Sequence, residues 1–269
     1  MSQVVGFIGA GQMGEPMVIR LVRAGYRVVV YARREPVRER LRACGAEVVD
    51  SAAAAAAAAD IVIVCVFSDA QLVEVVGGPD GVLAAAGQDT VVVSHTTGAV
   101  STVKDLAATH PDGPVLLDGP VSGSAEDIAA GKLTVLLGGP AMAVEAARPV
   151  LEAYARTIVA TGGLGSALGV KLVNNALFAA NAQLVALAAE VGRRLGIEDN
   201  DLLDALAACS GNSYAANSIR RTGGFPKFEQ RAAPFLRKDV AACVAATSDL
   251  GVDLGLLGTV ISDGPFDLG

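Results

Sequence analysis

The sequence predicts an α/β protein: an N-terminal doubly wound, mostly parallel sheet followed by an all-helical C-terminal domain. Three observations carry this prediction. Up to about residue 164, short Val/Ile-rich runs alternate with longer Ala-, Glu- and Arg-rich stretches. The short runs are continuously apolar, as expected of parallel strands covered by helices on both faces. After residue 165 the β-rich runs stop and only helical patterns remain.

In chain order, strands are expected over 4–8, 27–31, 46–49, 60–67, 90–94, 114–118, 133–137 and 156–160. The stretches between them are long enough for crossover helices. The alanine run 52–59, preceded by Ser51 as an N-cap, is expected to be one of these and carries no functional signal. The boundary falls at 162–165, giving an α/β domain over 1–164 and a helical domain over 165–269. In the second part, Ser166 could cap a helix running to about residue 195 and ended by Gly196, with further helices over 199–208 and 236–249. A helix of about 30 residues is some 45 Å long, more than one small domain covers. Its apolar faces therefore need the other domain or another subunit.

Composition excludes several function classes. With 52% hydrophobic and 18% charged residues, the chain is not of the disordered class. A net charge of −7 and a pI near 4.9 argue against nucleic acid as a partner. The most apolar stretch, 172–189, follows Lys171 and contains Asn174, Asn175, Asn181 and Gln183, four amides that would need partners in lipid. It reads as a buried helix, so no membrane is expected as a partner. The N-terminal apolar run lacks a basic flank and is broken by glycines, unlike a secretory signal. The 4 cysteines are widely spaced without a CxxC pair, as in a reduced cytoplasmic protein. With 2 histidines, no His/Cys metal site is expected.

Gly9-Ala10-Gly11-Gln12-Met13-Gly14 fits G-x-G-x-x-G between the first strand and a helix, with a second strand completing a unit of about 30 residues. Gly9 permits the tight turn, Gly11 lets the backbone approach a pyrophosphate, and Gly14 lets helix and strand pack closely. The helix N-terminus faces the anion. This is a Rossmann-type cofactor site. The second strand ends in Tyr31-Ala32-Arg33-Arg34, where an acidic residue would mark NAD(H). Two guanidiniums suit a 2′-phosphate, favouring NADP(H), although Glu35 follows directly. Of the 21 basic residues, 8 lie between Arg20 and Arg42; Arg38, Arg40 and Arg42 read as a solvated helix face.

Three more segments converge: Asp118-Gly119-Pro120-Val121-Ser122-Gly123-Ser124, the glycine-rich 162–165 leading to Lys171-Leu172-Val173-Asn174-Asn175, and Lys238-Asp239. With the N-terminal motif they resemble the β-hydroxyacid dehydrogenase family over nearly the whole chain. Its members include 3-hydroxyisobutyrate dehydrogenases, tartronate semialdehyde reductases and 6-phosphogluconate dehydrogenase. Read by themselves, Asn174 and Asn175 share a helix face with Lys171. Lys171, near the positive end of the helix dipole, is either an acid–base with a lowered pKa or a lysine snorkelling over apolar surface.

The resemblance implies that Lys171 is the catalytic acid–base, that Asn175 binds substrate, and that Ser122 and Gly123 hold a substrate carboxylate in the cleft between the domains. It implies cofactor contacts at Phe67, Ser68, Thr96, Phe235 and Lys238, with Thr96 approaching the nicotinamide. The implied activity is interconversion of a small β-hydroxy acid and its semialdehyde or keto form with NADP(H), NAD(H) being the other candidate, in a homodimer. Imine reductases share the fold but usually lack the lysine, as do members that serve as non-catalytic NADP(H)-binding modules. Four departures stand out: Gly119 where alanine is usual, Ser124 where a second glycine is usual, His95 outside the usual pattern, and a chain some 20–30 residues shorter, so that the last helices are missing or replaced. Ser124 is expected to stiffen the loop or add a donor. His95 reads as structural.

Overall fold

The structure, a computed structural model, describes residues 3–249 and 251–268. The chain divides into two compact units, Met1–Lys171 and Leu172–Gly269. The strands, all in the first unit, are β1 (Val4–Ile8), β2 (Arg27–Tyr31), β3 (Glu47–Val49), β4 (Ile61–Val64), β5 (Val91–Ser94), β6 (Val115–Asp118), β7 (Val121–Ser122), β8 (Leu133–Gly138) and β9 (Ala155–Gly162). They form one sheet in the order β3-β2-β1-β4-β5-β6-β8-β7, with β9 on β8. The pairs from β3 to β6 are parallel, whereas β8 runs antiparallel to β6 and β7. The order reverses between β1 and β4, the crevice where open α/β sheets take their ligands.

The interior strands are apolar on both faces because both faces are covered. Ile61 and Ile63 of β4 join one core with Phe7, Val30, Val93 and Leu117, while Val62 and Val64 join the other with Ile8, Val29 and Val92. The helices of this unit are α1 (Gly14–Arg23), α2 (Glu35–Ala43), α3 (Ala52–Ala56), α4 (Asp69–Gly77), α5 (Val82–Ala85), α6 (Val100–Ala108), α7 (Ala125–Ala129) and α8 (Ala141–Leu151). Ser51 does cap the alanine helix α3, its Oγ accepting from Ala54 N at 3.0 Å. The alanines serve packing: a Cβ on Gly6 of β1 would lie 2.4 Å from the Ala55 carbonyl.

The long helix α9 (Ser166–Arg194) runs from the first unit into the second. The compact units part inside α9, between residues 171 and 172. The reason is local: Ala167 and Leu168 are buried, and Leu168 belongs to a core cluster of the sheet. The helix ends as expected, with Gly196 at φ +77 beyond it. By length and composition α9 could cross a membrane; 56% of its most apolar window is buried.

In the second unit follow α10 (Asp199–Ala208), α11 (Tyr214–Thr222), α12 (Phe225–Asp249) and α13 (Leu256–Asp263). Helix α12 starts well before the expected residue 236. Its Pro226 stands in the first turn, where proline is tolerated, and Pro234 lies within the helix. Phe266 and Leu268 join the core of this unit, and the buried Gln183 amide binds the segment from Ile261 to Phe266 through three hydrogen bonds of 2.8 Å.

Candidate active site

The glycine loop is built as its spacing requires. Gly9 has φ +96, and a Cβ there would stand 2.3 Å from the Cys65 carbonyl. A Cβ on Gly14 would stand 2.2 Å from the Gly9 carbonyl and 3.0 Å from Phe7. Gly11 differs: a Cβ there meets no protein atom within 4 Å, so its smallness serves space outside the chain. No side chain caps α1, although Glu15 N already donates to the Gly11 carbonyl at 2.9 Å and Pro16 has no N–H. Beside this loop lies a cavity of about 280 Å³ lined by Gly9, Gly11, Arg33, Arg34, Cys65 and Phe67, among others. This cradle of open glycine, uncapped helix and guanidiniums fits a dinucleotide. Gln12 is exposed and Met13 packs against the core, and neither borders the cavity.

The basic cluster separates into two groups. Arg40 grips Glu15 with two hydrogen bonds of 2.6 and 2.8 Å and holds that carboxyl below its usual range. Arg42 pairs with Glu35 at 2.7 Å, and Arg38 pairs with Glu35 at 3.1 Å and with Asp50. Among the described residues, Arg33 and Arg34 have no ion-pair partner. Glu35, directly after them, is already taken up by two other arginines.

Strand β4 ends at Val64 rather than at 67, and residues 65–68 form the loop beside the cavity. Phe67 is 65% exposed. The Ser68 hydroxyl caps α4, accepting from Gln71 N at 3.4 Å. Thr96 is buried, its hydroxyl donating to Val66 O at 3.2 Å and accepting from Val66 N at 3.4 Å. Ser68 and Thr96 thus tie loops together and do not line the cavity. Burial pushes the Cys65 thiol up to about 12, keeping it a thiol.

Asp118, the last residue of β6, is fully buried. Its carboxylate accepts from Gly165 N at 2.7 Å and Leu168 N at 2.8 Å, so it takes the amide just before α9 and one in its first turn. Sequence reasoning gave the cap to Ser166; its Oγ instead meets Thr161 Oγ1 at 2.7 Å. Directly after Asp118, Ser122 is exposed in β7 and Gly123 turns at φ +135, where a Cβ would approach Leu133 at 3.0 Å. Ser124 stiffens the loop: it caps α7 in a capping box with Asp127. His95 is buried, its Nδ1 bonded to the Gly119 carbonyl and its Nε2 to the Tyr154 hydroxyl at 2.7 Å. Burial lowers its pKa to about 4.

Lys171 stands in the second turn of α9, so the helix terminus acts on it more weakly than a first-turn position would allow. It is half-buried. Asn175, one turn on, is buried; its amide donates to Asp239 Oδ2 at 2.8 Å and accepts from Asn174 at 3.0 Å. The Lys238-Asp239 pair is visible in the sequence, but a partner 64 positions from Asn175 carries no sequence signal. Lys238 Nζ lies 3.6 Å from Asp239 Oδ1, and Phe235, 55% exposed, sits three residues before it on α12.

Residues 4–163 match the family model described as the NAD binding domain of 6-phosphogluconate dehydrogenase. The chain belongs to the β-hydroxyacid dehydrogenase family. Residues 165–262 of this family member match a second model, the NAD-binding domain of NADP-dependent 3-hydroxyisobutyrate dehydrogenase. An NAD-dependent L-serine dehydrogenase of Pseudomonas aeruginosa is 35% identical, over 78% of this chain and 71% of that protein. A probable mitochondrial 3-hydroxyisobutyrate dehydrogenase of Arabidopsis thaliana is 31% identical, over 84% of this chain and 69% of that protein. Among solved structures, the Mycobacterium tuberculosis 3-hydroxyisobutyrate dehydrogenase with L-serine has a TM-score of 0.85 at 28% identity, covering 97% of this chain and 92% of that one. This β-hydroxyacid dehydrogenase is thus an NAD(P)-dependent oxidoreductase of the CH–OH class.

Proposed function

We propose that the chain is a cytoplasmic, NADP(H)-dependent enzyme interconverting a small β-hydroxy acid and its semialdehyde or keto form. The observation that carries the reading is the Lys171–Asn175 pair, one turn apart on α9, with Asn175 fixed by Asn174 and Asp239. When bound, the nicotinamide supplies the hydride chemistry. Lys171 Nζ takes the hydroxyl proton in oxidation and returns it in reduction. The Ser122 hydroxyl and Gly123 N–H donate to the carboxylate, and Asn175 orients the reacting end. Holding the reactants in one geometry supplies much of the rate. Arg33 and Arg34, which form no ion pair among the described residues and border the cavity beside a neutralised Glu35, support a 2′-phosphate and hence NADP(H).

The test is a cofactor-consumption screen with both cofactors over small hydroxy acids, aldehydes and cyclic imines. Turnover of hydroxy acids, lost in Lys171→Ala while cofactor binding is kept, is the expected result. Near-normal turnover in that variant refutes the acid–base assignment. Consumption with imines alone points to reduction of that bond instead, and tight binding without turnover points to a binding module.

A homodimer fits the outer face of α9. Val170, Leu177, Leu184 and Val191 recur every seven residues, joined by Val173 and Leu187, and each is exposed by 39–59%. Such a stripe suits a partner helix.

A further inference from the structure

Gly119, the residue after β6, is held at every group it has. Its N–H donates to Ser94 O at 2.7 Å, and its carbonyl accepts from His95 Nδ1. A Cβ on it would stand 2.6 Å from Val93 Cγ1, 3.2 Å from His95 Nδ1 and 3.3 Å from Leu137 Cδ2. Pro120 follows, with no N–H of its own and a ring that confines Gly119 to extended backbone. The Pro120 carbonyl is in turn held by Leu136 N at 3.0 Å. Ser122 and Gly123 come next.

The histidine is equally fixed. A carbonyl only accepts, so Nδ1 carries the proton and Nε2 accepts from the Tyr154 hydroxyl at 2.7 Å. Tyr154 is fully buried and meets the imidazole edge-on, with ring centres 5.8 Å apart. The two sequence departures, histidine at 95 and glycine at 119, are therefore one feature. Val93 Cγ1 and the ring together fill the room that a side chain at 119 needs, and the ring satisfies the buried carbonyl that precedes the proline.

We propose that His95 is a positioning residue for the substrate-carboxylate loop: it fixes the Gly119 carbonyl and, through Pro120, the placement of Ser122 and Gly123. This rests on the reading that Ser122 and Gly123 receive the carboxylate. Tyr154 completes the device by fixing the tautomer and orientation of the ring.

The experiment is calorimetric titration of 3-hydroxyisobutyrate into the NADP+-loaded protein, with the NADP+ dissociation constant and melting temperature measured alongside. His95→Leu removes both hydrogen bonds and is expected to weaken acid binding about tenfold while NADP+ binding stays within about twofold. His95→Asn, whose amide N–H stands near the place of Nδ1, is expected to regain most of the loss. Tyr154→Phe is expected to weaken acid binding about threefold. A lower melting temperature in His95→Leu with acid binding unchanged overturns the proposal. Where His95→Leu does not fold, His95→Asn and Tyr154→Phe decide: acid binding unchanged in Tyr154→Phe, or acid and cofactor binding weakened alike in His95→Asn, overturns it. Ser122→Ala separates the two layers. Unchanged acid binding there removes the carboxylate reading itself, whereas weakened binding there with normal binding in His95→Leu removes only the role of His95.

Discussion

Arg33 and Arg34 differ from the arginines around them in what holds them, and that difference is testable. Charge-assisted hydrogen bonds to a phosphate are worth about 1.5–3 kcal/mol each, so the double change Arg33→Ala, Arg34→Ala is expected to weaken NADP+ binding by about tenfold or more. NAD+ binding should move much less; an equal loss for both cofactors would sink the 2′-phosphate role. His95 gives a pH signature. Its pKa falls from the ordinary 6.5 to about 4 on folding, because burial penalises the charged ring. As pH drops below 6.5, the unfolded chain takes up a proton that the native state refuses. The stability from this residue is thus complete above about pH 6.5 and lost progressively down to about pH 4, by about 3 kcal/mol. Urea unfolding at pH 7 and pH 4.5 should show a smaller difference in His95→Asn than in the parent. At this scale the sequence told only part of the story. Arg33 and Arg34 were legible because they adjoin their strand. The partners of Asp118, His95 and Asn175 stand 47, 59 and 64 positions away, where no spacing rule reaches.

Gly11 and Gly14 belong to one motif yet fail in different ways. In Gly14→Ala the new methyl collides with the Gly9 carbonyl, so thermal stability should fall with cofactor affinity. In Gly11→Ala it meets only open space, so stability should hold while cofactor affinity drops. Equal stability of both variants by thermal unfolding would contradict the packing described for the loop. The cap on α9 allows a second check. Asp118→Ala leaves the buried amides of Gly165 and Leu168 without their acceptor and should cost about 1–3 kcal/mol in chemical denaturation. Most elements were readable from sequence because Val/Ile runs and helical stretches differ in period. Strand β7 was not, being only two residues long, and the first half of α12 was not, because its prolines read as breakers.

For the molecule as a whole, high apolar content follows from two cores back to back across one sheet and a third among the C-terminal helices. That layering was visible in the unbroken apolar strands. Where the compact units part was not, because α9 carries no break in its pattern between Ser166 and Arg194. Assembly is the prediction at this scale. Light scattering after gel filtration should give twice the mass of the 269-residue chain, and Leu177→Glu with Leu184→Glu should shift it to the monomer mass. A parent that runs as a monomer rules out the α9 stripe as a dimer face.

The buried carboxylate at the end of β6 also sets an angle. Each residue turns an α-helix by about 100°. By holding the N–H of Leu168, Asp118 fixes the rotational phase of α9 against the sheet, and Lys171 follows three residues later. A slip of one residue in that anchorage would swing the lysine by about 100° around the helix axis. The same Asp118 immediately precedes the loop that carries Ser122 and Gly123. One side chain thus sets the bearing of the lysine and the starting point of the loop, so the two cannot drift independently.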